Sequence, residues 1–199
     1  MESLKHLDKF KNREAKIIES YRDSSVLLPV VEVDGELHIL FEVRAKTLRS
    51  QPGDVSLPGG KRDEGESTLE TAIRETEEEL NISRDKINVI GKLDYMVMSY
   101  GMTIYGYVGI LKDININDIN YNKDEVDHIF TVPISFFKEN NPKKYDLNLK
   151  LIHDEEFPHH LIENGTKYKW KKRKEIIRFY RYRGYTIWGI TAAFIENFV

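Results

Sequence analysis

The 199-residue sequence contains no cysteine. It can therefore form no disulfide, no thiolate nucleophile and no cysteine-ligated zinc site. Long apolar segments are missing too, because no uncharged stretch reaches the roughly 18 residues of a membrane-spanning helix and the charged N-terminus does not resemble a signal peptide. The net charge of −3 gives no general attraction to nucleic acid. We expect neither a membrane nor a nucleic-acid partner, and a cytoplasmic location.

Three widespread enzyme motifs are also absent. The sequence has no Gly-x4-Gly-Lys-Ser/Thr phosphate loop, no Gly-x-Gly-x-x-Gly dinucleotide fingerprint and no Gly-x-Ser-x-Gly nucleophile elbow. What remains is an ordinary globular composition, with 40% hydrophobic and 32% charged residues. The length fits a single domain, which we assign to residues 1–199.

The first part of the chain predicts a helix and then a hairpin. Apolar residues recur at near-helical spacing in residues 1–22, which indicates an N-terminal helical extension. The apolar segment Val26–Val33 is separated from Leu37–Val43 by Asp34-Gly35, a strong two-residue turn signal. The second strand of this hairpin would end beside Arg44.

Further strands and a closing helix are indicated later in the chain. Residues 113–127 are polar and acidic, which is typical of a loop, and residues 145–170 support no assignment. The predicted strands are Ile87–Val97, Thr103–Leu111, Ile129–Val132 and Ile176–Tyr182, and the predicted helix is Ile187–Phe198.

The most informative segment begins at residue 46. Glycine and proline interrupt residues 46–66, and such a concentration demands a shaped loop. Helix signals follow, since Ser67 with Glu70 three residues later forms a capping box and an apolar stripe continues to Leu80. Asn81 tolerates the left-handed conformation that ends many helices. We therefore predict a helix from Ser67 to Leu80.

One face of this predicted helix is acidic. Glu75, Glu78 and Glu79 are neighbours at helical spacing. Each like-charge pair costs about 0.2 to 0.5 kcal/mol, and Arg74 is the adjacent basic residue. Mg²⁺ prefers oxygen ligands and shares them with water and phosphate. The cluster therefore suits a metal that bridges to a phosphate, and an ordinary solvated acidic face is the alternative.

Together the loop and the helix resemble the Nudix box, Gly-x5-Glu-x7-Arg-Glu-U-x-Glu-Glu-x-Gly-U, where U is bulky and apolar. The matching residues are Gly60, Glu66, Arg74, Glu75, Glu78, Glu79 and Ile82. Thr76 and Asn81 depart from the pattern. The resemblance implies an α/β fold, a Nudix-type α/β/α sandwich with a mixed β-sheet and a loop-helix-loop catalytic box over residues 59–82. A C-terminal segment over residues 140–199 would end in a helix.

The resemblance also implies roles for individual residues. Arg74 and Glu66 would pair and orient the acidic cluster. The implied ligands of Mg²⁺ or Mn²⁺ are Glu75 and Glu79, with Glu78 assisting and the Gly59 carbonyl completing the site. A metal there would neutralise a diphosphate and lower the pKa of the attacking water, giving two monophosphates.

A base must accept the proton of the attacking water. Glu75, Glu79 or a carboxylate from a loop could do so. Asp124, Glu125 and Asp127 precede a predicted strand, where related proteins often supply such a group, and Glu125 is the candidate. A plain acidic surface loop is the alternative interpretation.

A second resemblance concerns the substrate. The segment before the box is similar to the Arg-Ser-x3-Arg-x3-Gly-x3-Phe-Pro-Gly-Gly signature of coenzyme A pyrophosphatases, although Ala45 replaces the Ser and Leu57 the Phe. The matching residues are Arg44, Arg49, Gly53, Pro58, Gly59 and Gly60, and residues 185–192 also resemble the end of those enzymes. We expect a small-molecule nucleotide substrate, coenzyme A (CoA) or an acyl-CoA, bound through Arg44, Arg49 and Gly60. The family resemblance also suggests a homodimer.

Other interpretations stay open. ADP-ribose, NADH or dinucleoside polyphosphates are alternative substrates, a catalytically silent binding module could share the scaffold, and RNA decapping would use the basic residues 169–174. The acidic and histidine-rich residues 153–160 could bind a transition metal, although surface or structural roles are favoured. Tyr95, Tyr100, Tyr105 and Tyr107 could stack on a base, although packing between strands is favoured.

Overall fold

The computed structural model describes residues 7–14, 17–18, 22–171 and 173–199. Strand β1 (Arg22–Val33) and strand β2 (Glu36–Arg44) form the expected hairpin. The turn residues Asp34 and Gly35 have φ angles of 51° and 82°, and two successive left-handed residues are what a tight two-residue hairpin turn requires. The predicted hairpin is confirmed, with Arg44 at its end.

A mixed sheet of eight strands forms the centre of the fold. The strands run β3-β2-β1-β7-β5, with β4 beside β1, β6 beside β7 and β8 beside β2. β1 and β7 are parallel, whereas the other pairs are antiparallel. The remaining bounds are β3 Val55–Ser56, β4 Gly59–Lys61, β5 Ile87–Lys92, β6 Met96–Val97, β7 Met102–Leu111 and β8 Val126–Pro133.

The two hairpin strands separate beyond the turn, and the chain returns between them. β1 pairs with β2 only from Val30 to Val33, and its earlier part pairs with β4 instead. β2 correspondingly pairs with β3 near its end. The Leu27 N–H donates to the Pro58 carbonyl oxygen at 2.9 Å, which joins the returning loop to β1. The glycine-rich loop is thereby built into the sheet.

Each face of the sheet is covered by a helix. Alternate residues of β1 point to opposite faces, so Leu27 packs with helix α1 (Thr68–Leu80) and Leu28 with the C-terminal helix, Gly189–Phe198. The apolar residues Ala72, Ile73 and Leu80 of α1 belong to the Leu27 cluster. This arrangement confirms the predicted α/β/α sandwich with a mixed sheet.

A smaller unit follows the main sheet. Helix α2 (Ile134–Glu139) leads into an antiparallel sheet of β9 (Lys143–Leu149), β10 (Arg173–Tyr182) and β11 (Tyr185–Trp188), and the C-terminal helix is α3. β9 and α2 were not predicted from sequence. The predicted closing helix from Ile187 is too long, because its first two residues belong to β11 and pair with β10.

Two further predictions need correction. The predicted strand Ile87–Val97 is divided into β5, which ends at Lys92, and β6, which begins at Met96, and both pair with β7. Within residues 7–14 the predicted N-terminal helix is only a 3₁₀ turn, Asp8–Phe10, with no buried residue to stabilise it. The rest of that prediction falls largely outside the described residues. In the described ranges, no helix combines the length and the apolarity needed to cross a bilayer.

Ser67 fixes the start of α1. Its hydroxyl accepts the Glu70 N–H while the Glu70 side chain accepts the Ser67 N–H, which satisfies two donors that a helix start leaves unpaired. We predict that Ser67→Ala lowers the free energy of unfolding by about 1 kcal/mol. Urea denaturation measures the change, and Ser67→Asp, which keeps an accepting oxygen, should stay within a few tenths of wild type.

Candidate functional site

Helix α1 presents its polar face to the glycine-rich loop. The two departures from the Nudix box fit this helix without strain. The hydroxyl of buried Thr76 donates to the Ala72 carbonyl oxygen at 2.7 Å, so it needs no other partner. Asn81 ends the helix with φ 49° and donates its side-chain N–H to the Asn120 carbonyl oxygen.

Arg74 is the positive centre of the polar face. Its guanidinium lies 2.7 Å from Glu66 and 2.9 Å from both Glu75 and Glu78. The hydrogen bond from Arg74 lowers the pKa of Glu66 to about 2. The structure thus brings together the Arg74–Glu66 pair that the sequence predicted, and Glu78, expected to assist at a metal, binds this arginine in an exposed position.

Gly60 lies directly against Glu75. A Cβ at Gly60 would overlap the carboxylate at the end of the Glu75 side chain. A glycine is therefore needed for the helix carboxylate to approach the loop backbone. This contact explains in physical terms why the box begins with glycine.

Glu79 is almost fully enclosed, with 3% of its surface exposed. Its Oε2 accepts the Gly59 N–H at 2.8 Å. The sequence analysis assigned the Gly59 carbonyl oxygen to the metal site, whereas the observed hydrogen bond to Glu79 comes from the Gly59 N–H. Burial raises the pKa of Glu79, and the nearby Glu42 carboxylate raises it further.

Glu42 is a site residue that sequence reasoning missed. It lies in β2 with 1% of its surface exposed, and its Oε1 accepts the Ser56 hydroxyl at 2.8 Å. Its Oε2 is buried without a hydrogen-bond partner. Burial raises the pKa of Glu42, opposed by the Ser56 hydrogen bond. The available signal was a single glutamate inside the apolar run Ile39–Val43.

Glu125 reaches the same place from the loop before β8. Its backbone carbonyl accepts the Ala45 N–H at 2.8 Å, which fixes the loop beside the end of β2. The charge of its partly buried side chain acts on Glu42, Glu75 and Glu79. Four carboxylates from α1, β2 and this loop therefore share one electrostatic environment.

The donor set fits a hard divalent cation. All four carboxylates offer oxygen, the ligand atom that Mg²⁺ and Mn²⁺ prefer, and among the described residues the buried Oε2 of Glu42 has no hydrogen-bond partner. Within the part of the chain that the structure describes, no three acidic or histidine side chains already form a ligand set. Glu75 faces Arg74 and Glu79 faces Gly59 instead.

A cavity of about 580 Å³ opens beside Gly59 and Gly60. Its walls are largely apolar, and Arg44 lines it while Arg49 is exposed on the loop and is not among the lining residues. The side chains that form the walls include Met96, Met98, Met102, Ile104, Ile177, Trp188 and Phe194. The charged lining residues have both signs, and Arg178 among them pairs with Glu196. The cavity joins the box to the smaller sheet.

The other candidate clusters make contacts within the protein. His153 packs against His159, Phe157 and Trp170, and His159 also contacts Phe157. In the basic run, Lys174 pairs with Asp146 at 2.7 Å, and Lys172 lies outside the described residues. Two of the tyrosines, Tyr95 and Tyr105, pack together, the buried hydroxyl of Tyr107 bonds Thr68, and Tyr100 is exposed.

Comparisons with known proteins agree with this geometry. A family model of the NUDIX domain matches residues 21–154. A Nudix hydrolase NudL of Photorhabdus laumondii is 32% identical over 92% of this chain and 86% of its own length. The chain belongs to the Nudix family, as the sequence predicted.

One further known protein is similar to this chain in sequence, and one solved structure is similar to it in fold. The mouse peroxisomal coenzyme A diphosphatase NUDT7 is 36% identical over 57% of this chain and 48% of its own length. A MutT/nudix family protein of Enterococcus faecalis, 14% identical, matches the fold with a TM-score of 0.51 over 98% of this chain and 67% of that one. The chain spans about half the length of several curated relatives that it matches.

The Arg74–Glu66 pair generates a pH-dependent prediction. The pKa of Glu66 is about 2 in the folded chain against an ordinary 4.5, so its ionised form stabilises the fold above about pH 4.5, and this contribution is lost as the pH falls towards 2. Glu66→Gln should therefore lower the Tm at pH 6 and converge on wild type near pH 2. Thermal denaturation between pH 2 and 7 measures this, with exposed Glu64→Gln as control. A constant Tm difference across the range would contradict the assignment.

Proposed function

We propose that this chain hydrolyses a nucleoside diphosphate derivative at its pyrophosphate linkage, with CoA or an acyl-CoA as the substrate and Mg²⁺ or Mn²⁺ as the cofactor. The observation that carries the proposal is that Glu75 lies against Gly60 and Glu79 accepts the Gly59 N–H, where both glycines line the 580 Å³ cavity. The charge of Glu125 acts on both carboxylates. The acidic groups match a cation-dependent reaction at phosphorus, and the cavity offers room for the rest of the substrate.

The chain supplies the ligands and the proton acceptor. Glu75 and Glu79 are the proposed cation ligands, and Arg74 holds Glu66, Glu75 and Glu78 in position. A bound divalent cation supplies neutralising charge to the phosphate oxygens and acidifies the attacking water. The water oxygen adds to phosphorus, the bridging P–O bond breaks, and the water proton passes to a carboxylate. We assign that role to Glu125, which comes from a different segment than the ligands.

The cavity beside the box supports the CoA assignment. CoA consists of a flexible pantetheine chain and a 3′-phosphoadenosine, joined through the diphosphate that the box would cleave. Methionine side chains adapt to irregular and flexible partners, and three of them form one wall of the cavity. Arg44 at the cavity suits the diphosphate, and exposed Arg49 suits the outlying 3′-phosphate.

A product assay tests the reaction and the substrate together. With Mg²⁺ we expect CoA to be cleaved to 3′,5′-ADP and phosphopantetheine in preference to ADP-ribose, NADH or dinucleoside polyphosphates, and EDTA should stop turnover. Chromatography of the products measures the preference. Preferred cleavage of another diphosphate would contradict the CoA assignment alone, and no turnover of any would favour a silent binding module.

The metal-site assignment is tested by Glu79→Gln. The glutamine oxygen can still accept the Gly59 N–H, so the fold should persist. Loss of the carboxylate should reduce kcat by more than about 100-fold, because substitution of residues that only support a metal ligand usually reduces activity by at most about that factor. Glu77→Gln, on the same helix, is the matched control and should keep near-normal turnover. Near-normal activity of Glu79→Gln would contradict the assignment.

The two arginines should differ in what they recognise. If Arg49 binds the 3′-phosphate, Arg49→Ala should raise the KM for CoA about tenfold or more, as expected for a lost charged hydrogen bond, and leave dephospho-CoA nearly unchanged. Arg44→Ala should weaken both substrates equally. Steady-state kinetics on the two substrates measure this. Equal losses for CoA and dephospho-CoA in Arg49→Ala would refute its role.

A further inference from the structure

One buried carboxylate, that of Glu42, has no part in the proposed function, and any role for it at a cation rests on the cation dependence of that function. Glu42 lies on β2 at the point where β2 has left β1 and pairs with β3, so that Glu42 and Ser56 face each other across the two strands. Only one of its two oxygens is satisfied, through the Ser56 hydroxyl. The other, Oε2, is buried and has no hydrogen-bond partner among the residues that the structure describes.

Neither protonation state satisfies this oxygen in the observed arrangement. An ionised Glu42 has a buried acceptor without a donor, and a protonated Glu42 has a buried O–H without an acceptor. Arg44 supplies positive charge nearby but no hydrogen bond to Oε2. A buried carboxylate normally acquires a pairing group or a metal ion.

The neighbouring group is another buried carboxylate. Among the neighbouring acidic groups, Glu42 raises the pKa of Glu79 the most. Oε2 of Glu79 accepts the Gly59 N–H, so the lone pairs of its Oε1 remain available for another ligand. Glu75 and Glu78 both pair with the guanidinium of Arg74. No guanidinium of the described residues pairs with Glu42 or Glu79 in this way. Among the described residues, the sheet side of α1 therefore has no ion pair like those that Arg74 makes on the other side.

We propose that Glu42 is a ligand of a hard divalent cation, held between the Glu42 and Glu79 carboxylates on the sheet side of α1. Ser56 is a positioning residue, because its hydroxyl occupies Oε1 and leaves Oε2 for the cation. The Nudix box does not include Glu42. The site would thus draw ligands from a strand as well as from the helix.

Binding of Mn²⁺ to the whole chain tests the proposal without reference to turnover. We expect Glu42→Gln to bind Mn²⁺ at least tenfold more weakly than wild type, or to lose one equivalent, in titrations followed by calorimetry or by the electron paramagnetic resonance of free Mn²⁺. Glu32→Gln, an exposed glutamate on β1, is the matched control. Wild-type affinity and stoichiometry in Glu42→Gln would overturn the proposal, and a proton shared between Glu42 and Glu79 would then account for the pair.

Thermal stability separates a ligand from a purely structural carboxylate. In EDTA, Glu42→Gln should melt at or above the wild-type temperature, because it removes a repulsive charge, and its stabilisation by Mg²⁺ should be smaller. A variant that is destabilised in EDTA but gains the full Mg²⁺ stabilisation would also overturn the proposal.

Hydrogen exchange on the wild-type chain covers the case in which Glu42→Gln does not fold. Mg²⁺ should slow exchange in peptides that contain residues 40–44 and 55–57 as well as in α1. Protection confined to α1 and the Gly59 loop would contradict a ligand on β2. If the wild-type chain binds no Mn²⁺, the proposed cation dependence is wrong. If Mn²⁺ binding depends on Glu42 but CoA is not cleaved, this inference stands and only the proposed substrate is wrong.

Discussion

The fold of this protein must accommodate the repulsion between several carboxylates that lie close together. Four carboxylates act on one another where α1, β2 and the loop before β8 meet. Arg74 lies 2.9 Å from one of the four, Glu75, and also pairs with Glu66 and Glu78 outside the group. The buried side has hydrogen bonds from Gly59 and Ser56 but no ion pair of its own. Three of the four carboxylates are held on β2 and α1, and carboxylates with perturbed pKa values of this kind are typical of functional sites.

The separation of β1 from β2 makes that arrangement possible. A continuous hairpin would pair both strands along their whole length and exclude the glycine-rich loop. Because the pairing stops near Val30, the loop enters as β3 and β4 and carries Gly59 and Gly60 into contact with α1. The Nudix box is therefore held by strand pairing on one side and by the buried face of the helix on the other. Loop, helix and sheet cannot be rearranged independently.

Local signals were sufficient for much of this architecture. The Asp34-Gly35 turn, the capping box at Ser67 and the left-handed Asn81 are all determined by neighbouring residues, and the structure contains each one. Strand β9 was not predicted because its exposed, charged sequence becomes a strand only by pairing with β10. Glu42 was missed for a related reason. A glutamate in an apolar strand acquires meaning only when the sheet and α1 bring other carboxylates to it.

Sulfur has an uneven distribution in this protein. The chain has no cysteine and four methionines, and three of them, Met96, Met98 and Met102, line the cavity beside the box. Oxidation converts a flexible apolar thioether into a polar sulfoxide, and methionine sulfoxide reductases reverse the change. Oxidative damage to sulfur would therefore fall mainly on the wall of this cavity rather than on the sheet core. Because these methionines line the cavity, we expect peroxide to weaken ligand binding there before it affects other properties of the protein.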